Sequence, residues 1–86
     1  MNPHKVVKYP LSTEKSIRLV EAENKIIFVV NSKATRKDIK KAVEELFKVK
    51  VIHVNTFNTN KGEKRAYVKL SAETPALDIA TELGLM

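Results

Sequence analysis

The segment that most constrains the fold of this chain is residues 26–30, an unbroken apolar run in which all residues but Phe28 are β-branched. Successive side chains of a strand point to opposite faces of its sheet, so such a run must be covered on both faces. A bilayer span takes about 20 residues, and this run is much shorter. We therefore predict that residues 25–30 form a central β-strand, in a chain whose 86 residues allow one small core.

The clearest helix signal follows that strand. Thr35 and Asp38 have the spacing of a capping box, in which each side chain binds a backbone N–H at the start of a helix. Apolar residues then recur with helical spacing and would form one face of the helix. They are Ile39, Ala42, Val43, Leu46 and Phe47.

Two further helices are predicted from weaker signals. One begins at a cap on Ser12 or Thr13 and ends near Ala22, with Ile17 and Val20 as a thin apolar stripe. The other is capped by Thr74, has Pro75 at its first position and ends at Gly84. Its apolar face is expected to consist of Leu77, Ala80 and Leu83.

The remaining strands are predicted from alternation. Residues 5–9 form a short strand that Pro10 ends, and residues 51–59 and 64–70 flank a tight turn at residues 60–63. On the first strand of this hairpin, one face should carry Ile52, Val54 and Thr56. The order β-α-β-α-β-β-α predicts one α+β domain over residues 1–86, a small antiparallel or mixed sheet of three to four strands flanked by helices.

The charge balance favours a polyanionic partner. There are 16 Lys and Arg against 10 Asp and Glu, which gives a net charge of +6. Cysteine is absent, so disulfides, thiolate metal sites and cysteine nucleophiles are excluded. The N-terminal residues contain no long apolar run, and we expect no signal peptide, no membrane insertion and a cytoplasmic location.

No catalytic constellation is visible. His4 and His53 are far apart in sequence without a nucleophile beside either, and there is no Gly-rich phosphate loop. We predict no enzyme, cofactor, metal or small-molecule substrate. An acylphosphatase-like hydrolase is a weaker alternative, because it would need an arginine in a phosphate cradle. A free nucleic-acid-binding regulator is a second alternative.

The hairpin strands predict a nucleic-acid surface. One face of the pair combines cations, an amide and two aromatic rings, which suit phosphates and unstacked bases. These residues are His53, Asn55, Phe57, Arg65, Tyr67 and Lys69. The alternative is that helices cover this face and bury Phe57 and Tyr67. A second basic cluster, for which an ordinary solvated face is the alternative, opens the Thr35 helix with the candidate RNA contacts Lys33, Arg36, Lys37 and Lys40.

Five motifs in register resemble the L23 family of large-subunit ribosomal proteins. Residues 10–16, PLSTEKS, resemble its Pro-x-x-(Ser/Thr)-Glu-Lys signature, and residues 24–30 resemble its Asn-Lys-hydrophobic strand. Residues 34–44 resemble the opening of its helix, and residues 51–56 its Val-Asn-Thr strand. Residues 61–68 are similar to its closing Gly-Glu-Lys hairpin. The resemblance covers nearly the whole chain.

The resemblance implies a structural constituent of the large subunit, used in translation. It implies binding to large-subunit rRNA beside the polypeptide exit tunnel, neighbouring ribosomal proteins as partners, and help in docking the signal recognition particle. Glu14 occupies a protein-docking position of the family. The positions expected on RNA are Lys15, Asn55, Thr56, Lys61, Lys64, Arg65, Tyr67 and Lys69.

One feature resembles the archaeal form of the family. Bacterial relatives carry a long basic hairpin extension between the last two strands, and it reaches into the tunnel. Here residues 59–63 turn at once. The resemblance therefore implies docking of the signal recognition particle more than docking of the bacterial chaperone.

Overall fold

The chain folds as a four-stranded antiparallel sheet with helices packed on it. The computed structural model of the protein describes residues 3–85, with side chains from Lys5 onward. The strand order is β1-β2-β4-β3, and every neighbouring pair is antiparallel. In chain order the elements are α1 (Pro3–Val6), β1 (Val7–Pro10), α2 (Glu14–Glu23), β2 (Lys25–Val30), α3 (Arg36–Phe47), β3 (Val51–Asn58), β4 (Lys64–Leu70) and α4 (Ala76–Glu82). The predicted α+β class and element order are confirmed, with α1 as an added short turn of helix.

One face of the sheet, here called the α3 face, carries the apolar core. Strand register places Ile26, Val68 and Val54 in one row across β2, β4 and β3. Phe28 lies one row further along and stacks on Phe47 of α3, with ring centroids 5.6 Å apart. Full burial of an aliphatic or aromatic side chain of this size contributes about 1.5–3 kcal/mol. The α3 face is therefore the main source of the apolar stabilisation.

The opposite face, here called the α2 face, is covered over β2. Ile27 and Val29 point to this face and are buried, with exposed fractions of 3% and 2%. Ile27 pairs with Tyr67 of β4, and Lys15 of α2 places its Nζ 5.9 Å from the centre of that tyrosine ring. Helix α2 and helix α3 thus lie on opposite sides of the sheet. The predicted central strand, covered on both faces, is confirmed.

Helices α2 and α3 begin at reciprocal side-chain caps. The Thr13 hydroxyl accepts from the Ser16 N–H at 3.1 Å, and the Ser16 hydroxyl accepts from the Thr13 N–H at 2.8 Å. Thr35 and Asp38 make the same exchange at the start of α3. A cap of this kind contributes about 1 kcal/mol, because it satisfies N–H groups that have no partner within the helix. Of the two predicted caps for α2, Thr13 is the one used.

Asn24 joins the end of α2 to the start of α4. Its backbone adopts the left-handed conformation, with φ of 56°, which asparagine tolerates better than most residues. Its Nδ2 donates to the carbonyls of Leu70, Ser71 and Thr74 at 3.0, 3.1 and 3.2 Å. Its Oδ1 accepts from the Ala76 N–H at 2.6 Å. This single side chain therefore fastens the end of α2 to the loop that joins β4 to α4.

The prediction for the start of α4 was wrong. Thr74 was expected as the cap, but Pro75 occupies that position without a side-chain bond, and Asn24 supplies the acceptor from another part of the chain. Leu77 was expected in the apolar face and is 47% exposed. The buried residues of α4 are Ala76, Ile79 and Ala80.

Two strand predictions also need correction. The first strand was predicted over residues 5–9, whereas Lys5 belongs to α1 and β1 runs from Val7 to Pro10. Proline is tolerated there because β1 is an edge strand. Ile52 was expected beside Val54, but a register shift between Val51 and His53 inserts it as an extra residue, and it is 53% exposed.

None of the helices within residues 3–85 is long and apolar enough to cross a membrane.

Candidate nucleic-acid interface

The two C-terminal strands present a mixed surface on the α2 face. Register pairs His53 with Lys69, Asn55 with Tyr67, and Phe57 with Arg65. Side chains of directly paired residues point to the same face, so all six share one surface. We call this surface the β3–β4 platform; it consists of His53, Asn55, Phe57, Arg65, Tyr67 and Lys69. The predicted grouping of these residues on one face is confirmed.

The platform stays open where α2 does not reach. Phe57 is 41% exposed, and its ring tilts against Tyr67 with centroids 5.2 Å apart and an interplanar angle of 55°. Tyr67 is half-buried, and the Arg65 side chain keeps 37% of its surface accessible. The alternative that helices bury both rings is therefore wrong. Exposed aromatic faces of this kind can stack on unpaired bases.

Arg65 shares its charge with an acid in the hairpin. Its Nε donates to Glu63 Oε1 at 2.9 Å, and the other oxygen of Glu63 accepts from the Tyr9 hydroxyl at 3.2 Å. The hydrogen bond from Arg65, helped by the one from Tyr9, holds the pKa of Glu63 below its usual value. The hydrogen bond that the Tyr9 hydroxyl donates to the Glu63 carboxylate raises the pKa of Tyr9. The ion pair thus holds Arg65 in place and partly neutralises its positive charge.

Two other lysines, Lys69 on the platform and Lys15 above it, make no salt bridge within the described residues that would offset their charge. Lys25, by contrast, pairs with Glu23 at 3.3 Å. Lys15 stands over the Tyr67 ring, a placement that joins a positive charge to an aromatic face. His53 Nε2 lies 3.0 Å from the amide oxygen of Asn55. Lys15 and Lys69 therefore offer the most available positive charge beside the two rings.

Two of the predicted RNA contacts lie on the other face. Thr56 pairs with the buried Ala66, and Lys64 pairs with the buried Val30. Lys64 Nζ donates to the Ala34 carbonyl at 2.6 Å, which ties β4 to the loop before α3. Lys64 therefore has a clear structural role on the α3 face.

The basic residues of α3 line an open groove at the edge of the sheet. Arg36, Lys37 and Lys40 form one side, and β3 forms the other. The groove has a volume of about 240 Å³, and its β3 side is lined by Ile52, His53 and Val54. We call it the α3–β3 groove. Lys33 is exposed in the loop before α3 and does not line it.

A second depression lies at the hairpin. Its volume is about 410 Å³, and the predicted contacts Lys61 and Arg65 both line it, together with Thr59, Asn60 and Glu63. Gly62 gives the turn a residue with φ of 79°, a conformation that side chains other than glycine rarely adopt. The hairpin therefore turns tightly, as predicted, and brings Lys61 near the platform.

Glu14 lies at the start of α2, next to Lys15. Its carboxylate pairs with Arg18 one turn along at 2.8 Å, and 83% of its side-chain surface is accessible. Lys15 is directed over the β3–β4 platform, whereas Glu14 remains in solvent. Adjacent residues of α2 thus have different surroundings, because Lys15 lies against the platform and Glu14 pairs with Arg18 in solvent.

Comparison with known proteins decides the family. The family model described as ribosomal protein L23 matches residues 5–77. The chain belongs to the ribosomal protein L23 family. It is 46% identical over 85 residues to large ribosomal subunit protein uL23 of Methanococcus aeolicus, with 99% of both chains covered. It is 44% identical over 86 residues to uL23 of Tetrahymena thermophila, of which it spans 57%.

The relatives also bear on which form of the L23 family this chain represents. The Methanococcus relative matches it from end to end, so the predicted archaeal-type form of the family is confirmed. The relatives carry the names of large-subunit structural proteins, and the chain is accordingly a ribosomal protein. Within residues 3–85 no group of acidic or histidine side chains is arranged to hold a metal ion. The side chain of His4 lies outside the described residues.

Some residues of the L23 surface could not be found from the sequence. Tyr9 and Lys25 extend the platform across the sheet, because Tyr9 pairs with Val29, and Lys25 pairs with Lys69. Nothing in the linear sequence places β2 beside β4 and not beside β3. Ile52 joins the α3–β3 groove only because of the bulge, for which its sequence gives no signal.

Proposed function

We propose that this L23 protein is a structural constituent of the large ribosomal subunit that binds large-subunit rRNA near the polypeptide exit tunnel through its β3–β4 platform. The observation that carries the proposal is the Phe57–Tyr67 pair, in which Phe57 is exposed and Tyr67 is partly exposed, flanked by Lys15 and Lys69 on an open sheet face. Aromatic rings that stay accessible beside cations match the chemistry of RNA. The assignment to the large subunit rests on the names of the relatives.

Binding rests on two kinds of contact. Lys15, Lys69 and Arg65 neutralise phosphates, which releases counterions and makes affinity fall as salt rises. Phe57 and Tyr67 stack on bases that RNA tertiary structure leaves unpaired, since A-form grooves are hard to read with side chains. Asn55 adds an amide that can bind a base edge or a 2′-hydroxyl. The platform thus recognises shaped RNA more than a linear sequence.

The test is a filter-binding titration of the full chain against a transcript of archaeal large-subunit rRNA at several salt concentrations. The variant Lys15→Gln with Lys69→Gln removes one charge from the platform and one charge directly above it. The matched control, Lys41→Gln with Lys48→Gln, removes two exposed charges from α3 and its end. We expect the platform variant to lower the salt slope by about 0.7–0.9 for each phosphate that is no longer neutralised, and the control to leave the slope nearly unchanged. Equal reductions in both variants would reject the platform.

The protein-docking part of the proposal rests on Glu14. We place docking of the signal recognition particle at the start of α2, where Glu14 is exposed beside the RNA-facing Lys15. Glu14→Lys is expected to leave rRNA affinity within twofold, because it adds charge outside the platform, and to weaken binding of the particle to assembled subunits. Cosedimentation of the particle with variant subunits measures this. Failure of the variant to enter subunits would contradict a docking role.

A free nucleic-acid-binding regulator would use the same surface, and fractionation separates the two. A ribosomal constituent sediments with the large subunit and leaves it only at high salt. Recovery of the protein in the free fraction at physiological salt would favour the regulator.

A further inference from the structure

The α3–β3 groove is a basic site whose positive charges are not offset by any acidic side chain that the structure describes, and it lies apart from the aromatic rings of the platform. Arg36, Lys37 and Lys40 line it and are exposed. Among the described residues none of the three makes a salt bridge, and the lining includes no acidic side chain. Three like charges on one side of an open groove repel one another, and a bound anion relieves that repulsion. The groove therefore suits a polyanion.

The floor of the groove adds apolar surface to this charge. The bulge at residue 52 turns the Ile52 side chain out of the core, and Val54 lies beside it. A ribose or base edge can pack on such a surface while its phosphates meet the cations. An apolar floor beside a cationic wall therefore suits the sugar-phosphate backbone of a nucleic acid.

His53 links the groove to the platform. It pairs with Lys69 on the α2 face, and it also lines the groove beside Ile52. Because β3 is the edge strand, no further strand separates the two surfaces. A chain leaving the rings of Phe57 and Tyr67 can therefore pass over the polar side chains of Asn55 and His53 at the edge of the sheet and reach the cations of α3.

An acidic peptide is a poorer occupant of the same groove. A peptide that adds to a sheet edge needs a regular row of free main-chain groups. Here the bulge interrupts that row, and the Glu44 carboxylate already accepts the Val51 N–H at 3.2 Å. The carboxylate of Glu44 would also repel an acidic strand at this end of β3.

We infer that the α3–β3 groove is a second RNA subsite, which holds the backbone of the same RNA as it crosses the β3 edge. This inference rests on the proposed function, because it extends the platform into a continuous track. One RNA segment would then be held on both sides of the edge strand, by stacking on the α2 face and by phosphate contacts at α3. The protein would fix a bend in that RNA.

The first experiment measures the salt slope for the archaeal large-subunit rRNA transcript. The groove variant is Arg36→Gln, Lys37→Gln and Lys40→Gln. The control, Lys41→Gln, Lys48→Gln and Lys50→Gln, removes the same charge from exposed positions outside the groove. We expect the groove variant to lower the slope by about two to three and the control by less than about one. Indistinguishable slopes would overturn the subsite.

The second experiment locates the RNA. Because the chain has no cysteine, Ile52→Cys carries a unique thiol for a tethered hydroxyl-radical source, and Leu77→Cys on α4 is the exposed control. We expect strand cleavage of the bound transcript from position 52 and none from position 77. Tight binding without cleavage from position 52 would overturn the inference. So would cross-linking of position 52 to an acidic protein in assembled subunits.

The two proposals fail in different ways. In one outcome, the groove variant shows the same salt slope as its control while the Lys15 and Lys69 variant still binds weakly. That result rejects the second subsite and leaves the platform proposal standing. Full binding by the Lys15 and Lys69 variant removes the platform itself.

Discussion

The two faces of the sheet use the same strands for opposite purposes. On β4, Ala66 and Val68 point into the core on the α3 face, whereas Arg65, Tyr67 and Lys69 point to the α2 face. The α3 face is mainly apolar, with Thr56 and Lys64 as exceptions at the hairpin end, whereas the α2 face is mainly apolar over β2 and is charged and aromatic over β3 and β4. Strand alternation therefore lets a small domain build an apolar core and a charged, aromatic surface from one sheet, without a separate loop.

The largest effect should come from the α3 face. Phe28→Ala removes a ring that is 1% exposed and stacked on Phe47, and leaves a cavity. We expect a loss of about 3–5 kcal/mol in the free energy of unfolding, enough to unfold a small domain near physiological temperature. Urea unfolding followed by circular dichroism measures it. The control Phe57→Ala, on the open face, should cost much less, and similar losses would mean that the two faces are equally packed.

The next largest effect is expected at Asn24, which lies at one end of the sheet and joins the end of α2 to the start of α4. Asn24→Asp keeps the acceptor for the Ala76 N–H but places a carboxylate against three carbonyls that now receive an N–H. We expect about 1–3 kcal/mol of destabilisation by thermal unfolding. Asn31→Asp is the matched control, since the Asn31 side chain only accepts, from the Lys33 N–H at 2.9 Å. Equal shifts in the two variants would show that added charge alone is responsible.

Substitutions on the open α2 face should lower RNA affinity more than they lower the stability of the fold. Phe57→Ala removes one exposed ring of the platform. Loss of a base stacked on an aromatic side chain costs about 1–3 kcal/mol of binding free energy, so we expect about a 5- to 150-fold weaker affinity for the rRNA transcript. Phe57→Tyr should retain most of it. Unchanged affinity in Phe57→Ala would show that the ring does not contact RNA.

A smaller effect separates two lysines of β4. Lys64→Met removes the hydrogen bond to the Ala34 carbonyl on the α3 face, and should cost about 1 kcal/mol of stability. Lys69→Met, on the α2 face, should leave stability within about 0.5 kcal/mol but lower RNA affinity more than Lys64→Met does. Chemical unfolding and filter binding of both variants give the four values. The reverse order of RNA affinities would contradict the assignment of faces.

The smallest effect is a pH dependence at the start of α3. The hydrogen bonds from Thr35 hold the pKa of Asp38 below its usual value of 3.8, so the ionised carboxylate stabilises the folded state. This contribution is complete above the unfolded pKa and is lost as pH falls through the lower folded pKa. The stability difference between the protein and Asp38→Asn should therefore be constant from about pH 7 to pH 5 and shrink below about pH 4. A difference that persists at about pH 2 would exclude a role for the charge.

Short-range signals in the sequence predict much of this structure. The strand β2, the Thr13 and Thr35 caps and the faces of the hairpin follow from neighbouring residues, whose physics is short-range. The bulge at Ile52 and the cap that Asn24 provides to α4 depend on contacts between distant segments. The strand order that adds Tyr9 and Lys25 to the platform has the same origin. Alternation could place Lys64 opposite Arg65, but not its bond to Ala34.

Both borders of the sheet are unsuited to pairing with another copy of the chain. At one border β1 is four residues long and ends in Pro10, which has no N–H to donate. At the other, the bulge and the Glu44 carboxylate interrupt the start of β3. These features disfavour edge-to-edge pairing between newly made copies, and so they lower the risk that a basic ribosomal protein aggregates before it is assembled.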